Sequence, residues 1–359
     1  MSLSPFIDKL EELGTAPPNR IVYAAAHVVV KDEVGEQIDA EATDAQRRFL
    51  DDHGFGIAEA MDTAQRFELG WGVAKNLIER TAALDLHHGF AAGASSDHIS
   101  DISDSTALAS AVAWQVNFIQ ECGGLPVILP MPMLAQMNAS EDEYVQTYHH
   151  ILQQSSGPVL LHWLGSMFLP GLEAYFPGKS FERIMALDSD RIIGIKLSLL
   201  DADREISIRL HLATSGQFVY TGDDFNFARL IAGDSADDIE VPGKFSHALL
   251  GIFDAIARPA GIALKFLAHG CREEFLQLML PCEELSRVVF QNPTQHYKAG
   301  LAYLSWLDRR QDNPWLPQRA HLNRDSAHYS QLLELALKAR IFANPDDAQS
   351  RHVEAQRGN

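Results

Sequence analysis

The amino-acid sequence predicts a (β/α)8 barrel with a helical C-terminal extension, and three observations carry that prediction. Eight short apolar runs recur before residue 270. Helix-like amphipathic stretches separate them. Several of the runs are apolar on both faces, as in Pro158–Leu164 and Arg191–Ser198. A strand buried on both faces belongs between an inner barrel core and an outer ring of helices. The alternative with the same alternation is an open doubly wound sheet.

The elements follow in order. The strand-like runs are Ile21–Val30, Phe55–Met61, Gly89–Ser95, Leu125–Met131, Pro158–Leu164, Arg191–Ser198, Gln217–Gly222 and Phe245–Ile252. The intervening helical stretches are Thr43–His53, Gly70–Ala83, Ser105–Cys122, Glu141–Gln154, Phe181–Leu187, Asp201–Ala213 and Asp224–Ala232, with Asp254–His269 after the last strand. Thr43, Ser140, Ser180 and Asp201 are placed as helix starts, because a short polar side chain there satisfies free backbone N–H groups. Ser140 is followed three residues later by Glu143, the spacing of a capping box. Beyond residue 270 three further helices are expected, Glu273–Met279, Thr294–Leu307 and Ser326–Ile341, broken at Asn313–Pro317. One barrel domain over residues 1–270, a helical extension of it over 271–345 and a disordered tail over 346–359 are the expected organisation. The tail is polar and shows no apolar period.

Composition bounds the function. The chain of 359 residues is 46% apolar and 21% charged, with a formal net charge of −19 from 48 acidic and 29 basic side chains. No basic stripe is available to neutralise phosphates, so nucleic acid and anionic membrane surfaces are not expected partners. A small anionic substrate stays open, since a pocket's field is set locally. Cys122, Cys271 and Cys282 share no metal-ligand spacing and form no disulfide framework. The first residues read as an amphipathic helix rather than a signal peptide, and no run approaches about 18 apolar residues, so a cytoplasmic protein is expected.

In such a barrel, reactive groups lie at the C-terminal ends of strands. The sixth run ends in Gly194-Ile-Lys196-Leu-Ser198. A lysine there loses water around its ammonium, which lowers its pKa and makes it an amine nucleophile. The bland reading is a strand-end lysine paired with Asp201 or Asp203. His162, near the end of the fifth run, is either a proton carrier or a hydrogen-bonded core histidine.

The stretch from Gly194 to Asp201, followed by Tyr220-Thr-Gly-Asp-Asp224, resembles the dihydrodipicolinate synthase and N-acetylneuraminate lyase superfamily. Weaker echoes are Gly35–Asp39, Leu125–Pro132 and Glu141–Gly157, so the resemblance covers residues 20–265 and is strongest over 125–230. It implies a Schiff-base lysine at Lys196, with His162 standing where the family has a proton-relaying tyrosine. The family's carboxylate-gripping loop is replaced by Glu59–Gln65, in which Thr63 alone is kept in kind and Asp62 repels a carboxylate. A neutral carbonyl compound such as a keto sugar or aldehyde is therefore expected in place of pyruvate, with Glu59, Asp62 and Gln65 binding hydroxyls and Thr63 a further substrate-binding candidate. Ser95, Ser96, Asp97 and His98 after the third run, and Asp223 after the seventh, are further candidates for the substrate site. Asp224 reads as a helix cap.

The expected activity is thus a class I lyase or aldolase, with neither metal nor cofactor and with a homo-oligomeric assembly, as is common in that superfamily. A metal-dependent sugar isomerase using Glu59, Asp62, Asp97, His98, His162 and Asp223, and a non-catalytic sugar-binding barrel, are the alternatives. The aromatic residues Phe168, Tyr175 and Phe176 are assigned to core or lid packing. The run Phe290–Tyr297 is a loop into a helix without assigned chemistry.

Overall fold

The computed structural model describes residues 2–233 and 242–358. Its eight strands are β1 (Val22–Ala25), β2 (Gly56–Glu59), β3 (Phe90–Ala94), β4 (Leu125–Ile128), β5 (Val159–Leu164), β6 (Ile192–Ser198), β7 (Phe218–Thr221) and β8 (His247–Leu250). They pair in sequence order, all parallel, and β8 returns to β1 to close a barrel. The open-sheet alternative is thereby set aside. Each strand is shorter than its apolar run, whose remaining residues pass into the flanking loops.

Burial on two faces has the predicted origin. Ile57, Ile128, Leu161, Ile195, Leu197 and Val219 are fully buried against the helical ring. Each such side chain contributes roughly 1.5–3 kcal/mol relative to exposure. The barrel interior is a separate cluster in which Ala25, Ala58 and Ala91 face the bulkier Val127, Leu160, Tyr220 and Leu249. Small residues on β1 to β3 leave room for the Tyr23 and Tyr220 rings, whose centroids lie 6.3 Å apart. These side chains plug the lower barrel, so free space remains only towards the C-terminal ends of the strands.

Helix starts follow two of the four expected caps. The Ser140 capping box with Glu143 begins Glu141–Gln154, and Asp201 accepts from the Arg204 N–H at the head of Ala202–Leu212. The first barrel helix begins earlier than expected, at Ala40, with Asp39 as its cap. Thr43 instead receives the Val29 N–H at 3.1 Å and ties that helix to the loop after β1. Ser180 lies inside Ser180–Met185, which has no side-chain cap. An N-terminal helix, Ser4–Leu13, carries Phe6 against Phe266.

The extension consists of helices Arg272–Val289, Tyr297–Leu307, Ser326–Ala339 and Pro345–Gly358. The first runs ten residues past the expected end at Met279 and through Pro281, because its buried face continues with Cys282, Leu285 and Val289. The disorder expected over residues 346–359 is not found where the structure describes that segment; Asn359 lies outside the described residues. Its helix is docked by contacts that an apolar period does not reveal. Arg309 forms two hydrogen bonds to Asp347, at 2.5 and 2.6 Å, Tyr303 Oη lies 2.7 Å from His352 Nδ1, and Arg351 covers the Trp306 ring.

Candidate active site

A cavity of about 470 Å³ opens at the C-terminal end of the barrel. Lys196 and Ser198 of β6, His162 of β5, and Asp224 just beyond β7 line it. Register explains the grouping. His162 and Lys196 are partners across the β5–β6 pair, and Lys196 pairs in turn with Tyr220 on β7. Alternate residues of β6 face inward, as do Tyr220, Gly222 and Asp224 along β7 and its continuation.

Gly222 makes room for the lysine. A Cβ there would meet Ser198 Oγ at 2.2 Å and Lys196 Cε at 2.9 Å. Lys196 is half-buried and has neither hydrogen bond nor ion pair within 4.0 Å among the described residues. Asp201, its bland partner, is occupied at the helix N-terminus. Burial lowers the lysine's pKa from 10.5 to about 8, against the pull of Asp224 and Asp62. Asp224 is pushed the other way, from 3.8 to about 8, by burial, with Lys196 and the Ile252 N–H opposing. The two groups face a common space with between one and two protons available to them near neutrality.

His162 is 4% exposed, and its Nε2 lies 3.2 Å from Ser198 Oγ. Its Nδ1 is buried without a hydrogen-bond partner. Burial, and then the neighbouring Lys196, hold its pKa well below 6.5, so the ring is neutral and one nitrogen is left with spare capacity.

The opposite rim comes from the β2 loop and the C-terminal extension. Tyr297 Oη donates to Asp62 Oδ2 at 3.0 Å and lies 2.8 Å from Thr63 Oγ1. Its ring stacks on Phe290 with centroids 4.4 Å apart. Lys298 donates to the Asp62 carboxylate at 2.8 Å and its carbonyl at 3.1 Å, and Glu68 Oε1 lies 3.6 Å away. The Lys298 side chain is only 6% exposed whereas Asp62 is 47% exposed. An incoming anion therefore meets the carboxylate before the ammonium.

Of the expected site residues, Lys196, His162, Asp62 and Thr63 converge on the cavity. The others stand away from it. Glu59 is fully buried behind β2, where Arg47, Thr81 and the Ala60 N–H hold its carboxylate below its ordinary pKa. Asp97 pairs with Arg66, the Ser95 N–H donates to Gln115 Oε1, His98 contacts Gln115 and stacks on Trp114, and Ser96 does not line the cavity. Asp223 accepts the Phe225 and Asn226 N–H groups and is the turn residue, while its neighbour Asp224 lines the cavity. The two aspartates thus exchange the roles expected of them. Period-2 alternation carried from Tyr220 through Gly222 would have selected Asp224. Tyr297 and Lys298 carry no comparable signal, since they reach the barrel mouth only through tertiary docking.

Among the described residues no group of three or more His, Cys, Asp or Glu side chains is arranged to hold a metal ion. No helix of the described residues is long and apolar enough to cross a membrane.

The same fold occurs in proteins of solved structure. A protein assigned as a dihydrodipicolinate synthetase from Pseudomonas aeruginosa superposes with a TM-score of 0.68 at 16% identity, covering 89% of this chain and 99% of that one. The dihydrodipicolinate synthase of Oceanobacillus iheyensis matches with a TM-score of 0.59 at 14% identity over 93% and 98% of the two chains. YagE of E. coli K12, a member of the dihydrodipicolinic acid synthase family solved with pyruvate, gives 0.65 at 14% identity over 90% and 99%. At such identities the likeness establishes a common fold. No curated protein is similar to this chain in sequence. Over residues 7–357 the sequence matches a family model, and the chain belongs to that family, described as "Protein of unknown function (DUF993)".

Proposed function

We propose that this chain is an imine-forming, class I lyase or aldolase acting on a neutral carbonyl compound rather than on pyruvate. The observation that carries the reading is Lys196, a lysine without an ion-pair partner at the end of β6, in the cavity and with a lowered pKa. Its neutral amine attacks the substrate carbonyl carbon. The carbonyl oxygen leaves as water after taking up two protons, and the resulting iminium withdraws electrons from the adjacent carbon. A bond to that carbon then breaks or forms through the enamine, and water hydrolyses the imine to regenerate the amine.

Neutral His162, through its free nitrogen or through Ser198, is assigned the proton transfers at the reacting carbons. Asp224, in its carboxylate form, takes the proton that the lysine nitrogen loses once it has bonded to the carbonyl carbon. Asp62, Thr63 and Tyr297 form a hydroxyl-binding rim, which suits oxygen substituents beside the carbonyl, as in a keto sugar. The metal-dependent alternative draws less support, since Glu59, Asp97 and Asp223 are engaged elsewhere.

The test is reductive trapping. Incubation with carbonyl compounds and borohydride should leave a reduced adduct on the peptide containing Lys196, found by mass spectrometry and missing from Lys196→Ala. Turnover of a carbonyl substrate without any trapped adduct would overturn the imine mechanism. Ligand binding without turnover, retained in Lys196→Ala, would favour a non-catalytic barrel.

A further inference from the structure

The cavity has two chemically different walls on opposite sides of the barrel. Over β4 and β5 the loops present Pro130, Pro132, Leu164, Phe168, Leu169 and Leu172. Over β7 and β2 the lining includes the polar Asp224, Asp62, Thr63 and Gln65 beside Met61 and Phe67, β8 adds only Gly251, and the extension supplies Tyr297 and Lys298. The extension sits on that side because Gln65 donates to the Pro317 carbonyl and Gln318 donates to the Glu68 carbonyl. In an eight-stranded barrel, β4 and β5 lie diametrically across from β8 and β1.

The apolar wall is not merely the outer edge of the core. Leu169 is 40% exposed and Phe168 and Leu164 are half-buried, although all three line a concave space. Apolar side chains left open to water inside a cavity mark the place of an apolar ligand group. No arginine lines the cavity among the described residues, and Lys298 is already neutralised by Asp62 and Glu68.

We infer that the substrate is a carbonyl compound with two ends, a polar uncharged head seated against Asp62, Thr63 and Tyr297 and an apolar alkyl or aryl arm seated on the β4–β5 wall. The inference rests on the imine-forming reading and narrows its substrate class. The carbonyl lies between the two walls, beside Lys196, so the bond that reacts joins a polar fragment to an apolar one.

A homologous series reads the arm directly. Straight-chain methyl ketones from acetone to 2-octanone, with pyruvate and dihydroxyacetone alongside, are trapped with borohydride, and the half-saturating concentration for the Lys196 adduct is measured. The matching 2-alkanols, which cannot form an imine, are titrated by ligand-observed NMR. Half-saturation is expected to fall by about fourfold for each added methylene until the wall is covered. Phe168→Ser and Leu164→Ser should flatten the slope. A half-saturating concentration independent of chain length, or preferential trapping of pyruvate or dihydroxyacetone over the longest ketones, would overturn the inference. If no ketone is trapped while alkanol affinity climbs with chain length, the apolar subsite stands and the imine mechanism falls. Alkanol affinity without a gradient would remove the subsite as well.

Discussion

At pH 7 a lysine with the ordinary pKa of 10.5 is neutral in only about 0.03% of molecules, whereas one at about 8 is neutral in roughly a tenth, a gain of ~300-fold in nucleophile. That difference makes the pH dependence of trapping at Lys196 a direct test of the site. The adduct-forming rate at saturating ketone should rise with pH, reach half its plateau near pH 8, and level off above it. Lys9, exposed at the surface, serves in the same digest as the internal reference. Asp224→Asn sharpens the test. Asp224 is the first of the groups that favour the ammonium, so its removal should move the midpoint to lower pH. No ion pair joins the two residues within 4.0 Å. At an effective dielectric of about 20, unit charges beyond that distance interact by less than roughly 4 kcal/mol. Asp224 is itself partly protonated near pH 8, so a shift on the order of one pH unit is the expected size. The assay is quantitative mass spectrometry of the Lys196 peptide from pH 6 to 10. A wild-type midpoint near 10, or an upward shift in Asp224→Asn, would refute the electrostatic account of the site.

His162→Phe should leave adduct formation largely intact and slow turnover by roughly a hundredfold or more, the usual scale for a general acid–base group; turnover at the wild-type rate would make His162 a core residue. Gly222→Ala should suppress trapping while retaining a folded circular-dichroism spectrum, because its Cβ would lie 2.9 Å from Lys196 Cε and 2.2 Å from Ser198 Oγ. Unchanged trapping would show that the lysine has freedom to move. Glu205, buried between Thr221 and Ser246, is pushed from 4.5 to about 8 by burial. The folded state thus holds a proton that the unfolded state has lost, and this stabilisation, complete below pH 4.5, disappears as pH rises through 8. Its full size is up to roughly 5 kcal/mol. Glu205→Gln cannot ionise, so its urea midpoint should fall less than that of wild type between pH 5 and 9, and parallel curves would show that burial does not perturb this carboxyl.

The barrel was legible because its strands must be apolar on both faces, and that demand leaves compact runs such as Arg191–Ser198. Lys196 stood out within such a run, where a lysine is expensive without a role. Loop residues were less readable. Asp223 and Asp224 are the same residue type one position apart, and only the continuing alternation of β7 decides which carboxylate turns inward. Glu59, Asp97 and His98 were sound candidates by position, yet Arg47, Arg66 and Gln115 draw them into the packing behind the barrel. Those partners lie 12 to 31 residues away in sequence. The tail escaped notice for a related reason. Its helix is held by an arginine–carboxylate pair and a tyrosine–histidine bond, which leave no apolar stripe to find. Tyr297 and Lys298, more than two hundred residues from Asp62, have no local pattern that ties them to it.

The docking of the extension onto the β2 loop has a thermodynamic corollary. A ligand touching Thr63 or Lys196 on one side and Tyr297 on the other spans two parts of the chain that meet at the rim through polar contacts. Whatever free energy the ligand gains from touching both, it returns as added cohesion between them. Occupancy and rim closure are therefore coupled quantities. A tight substrate should protect the backbone amides of Tyr297–Leu307 from hydrogen exchange more than those of the lower barrel.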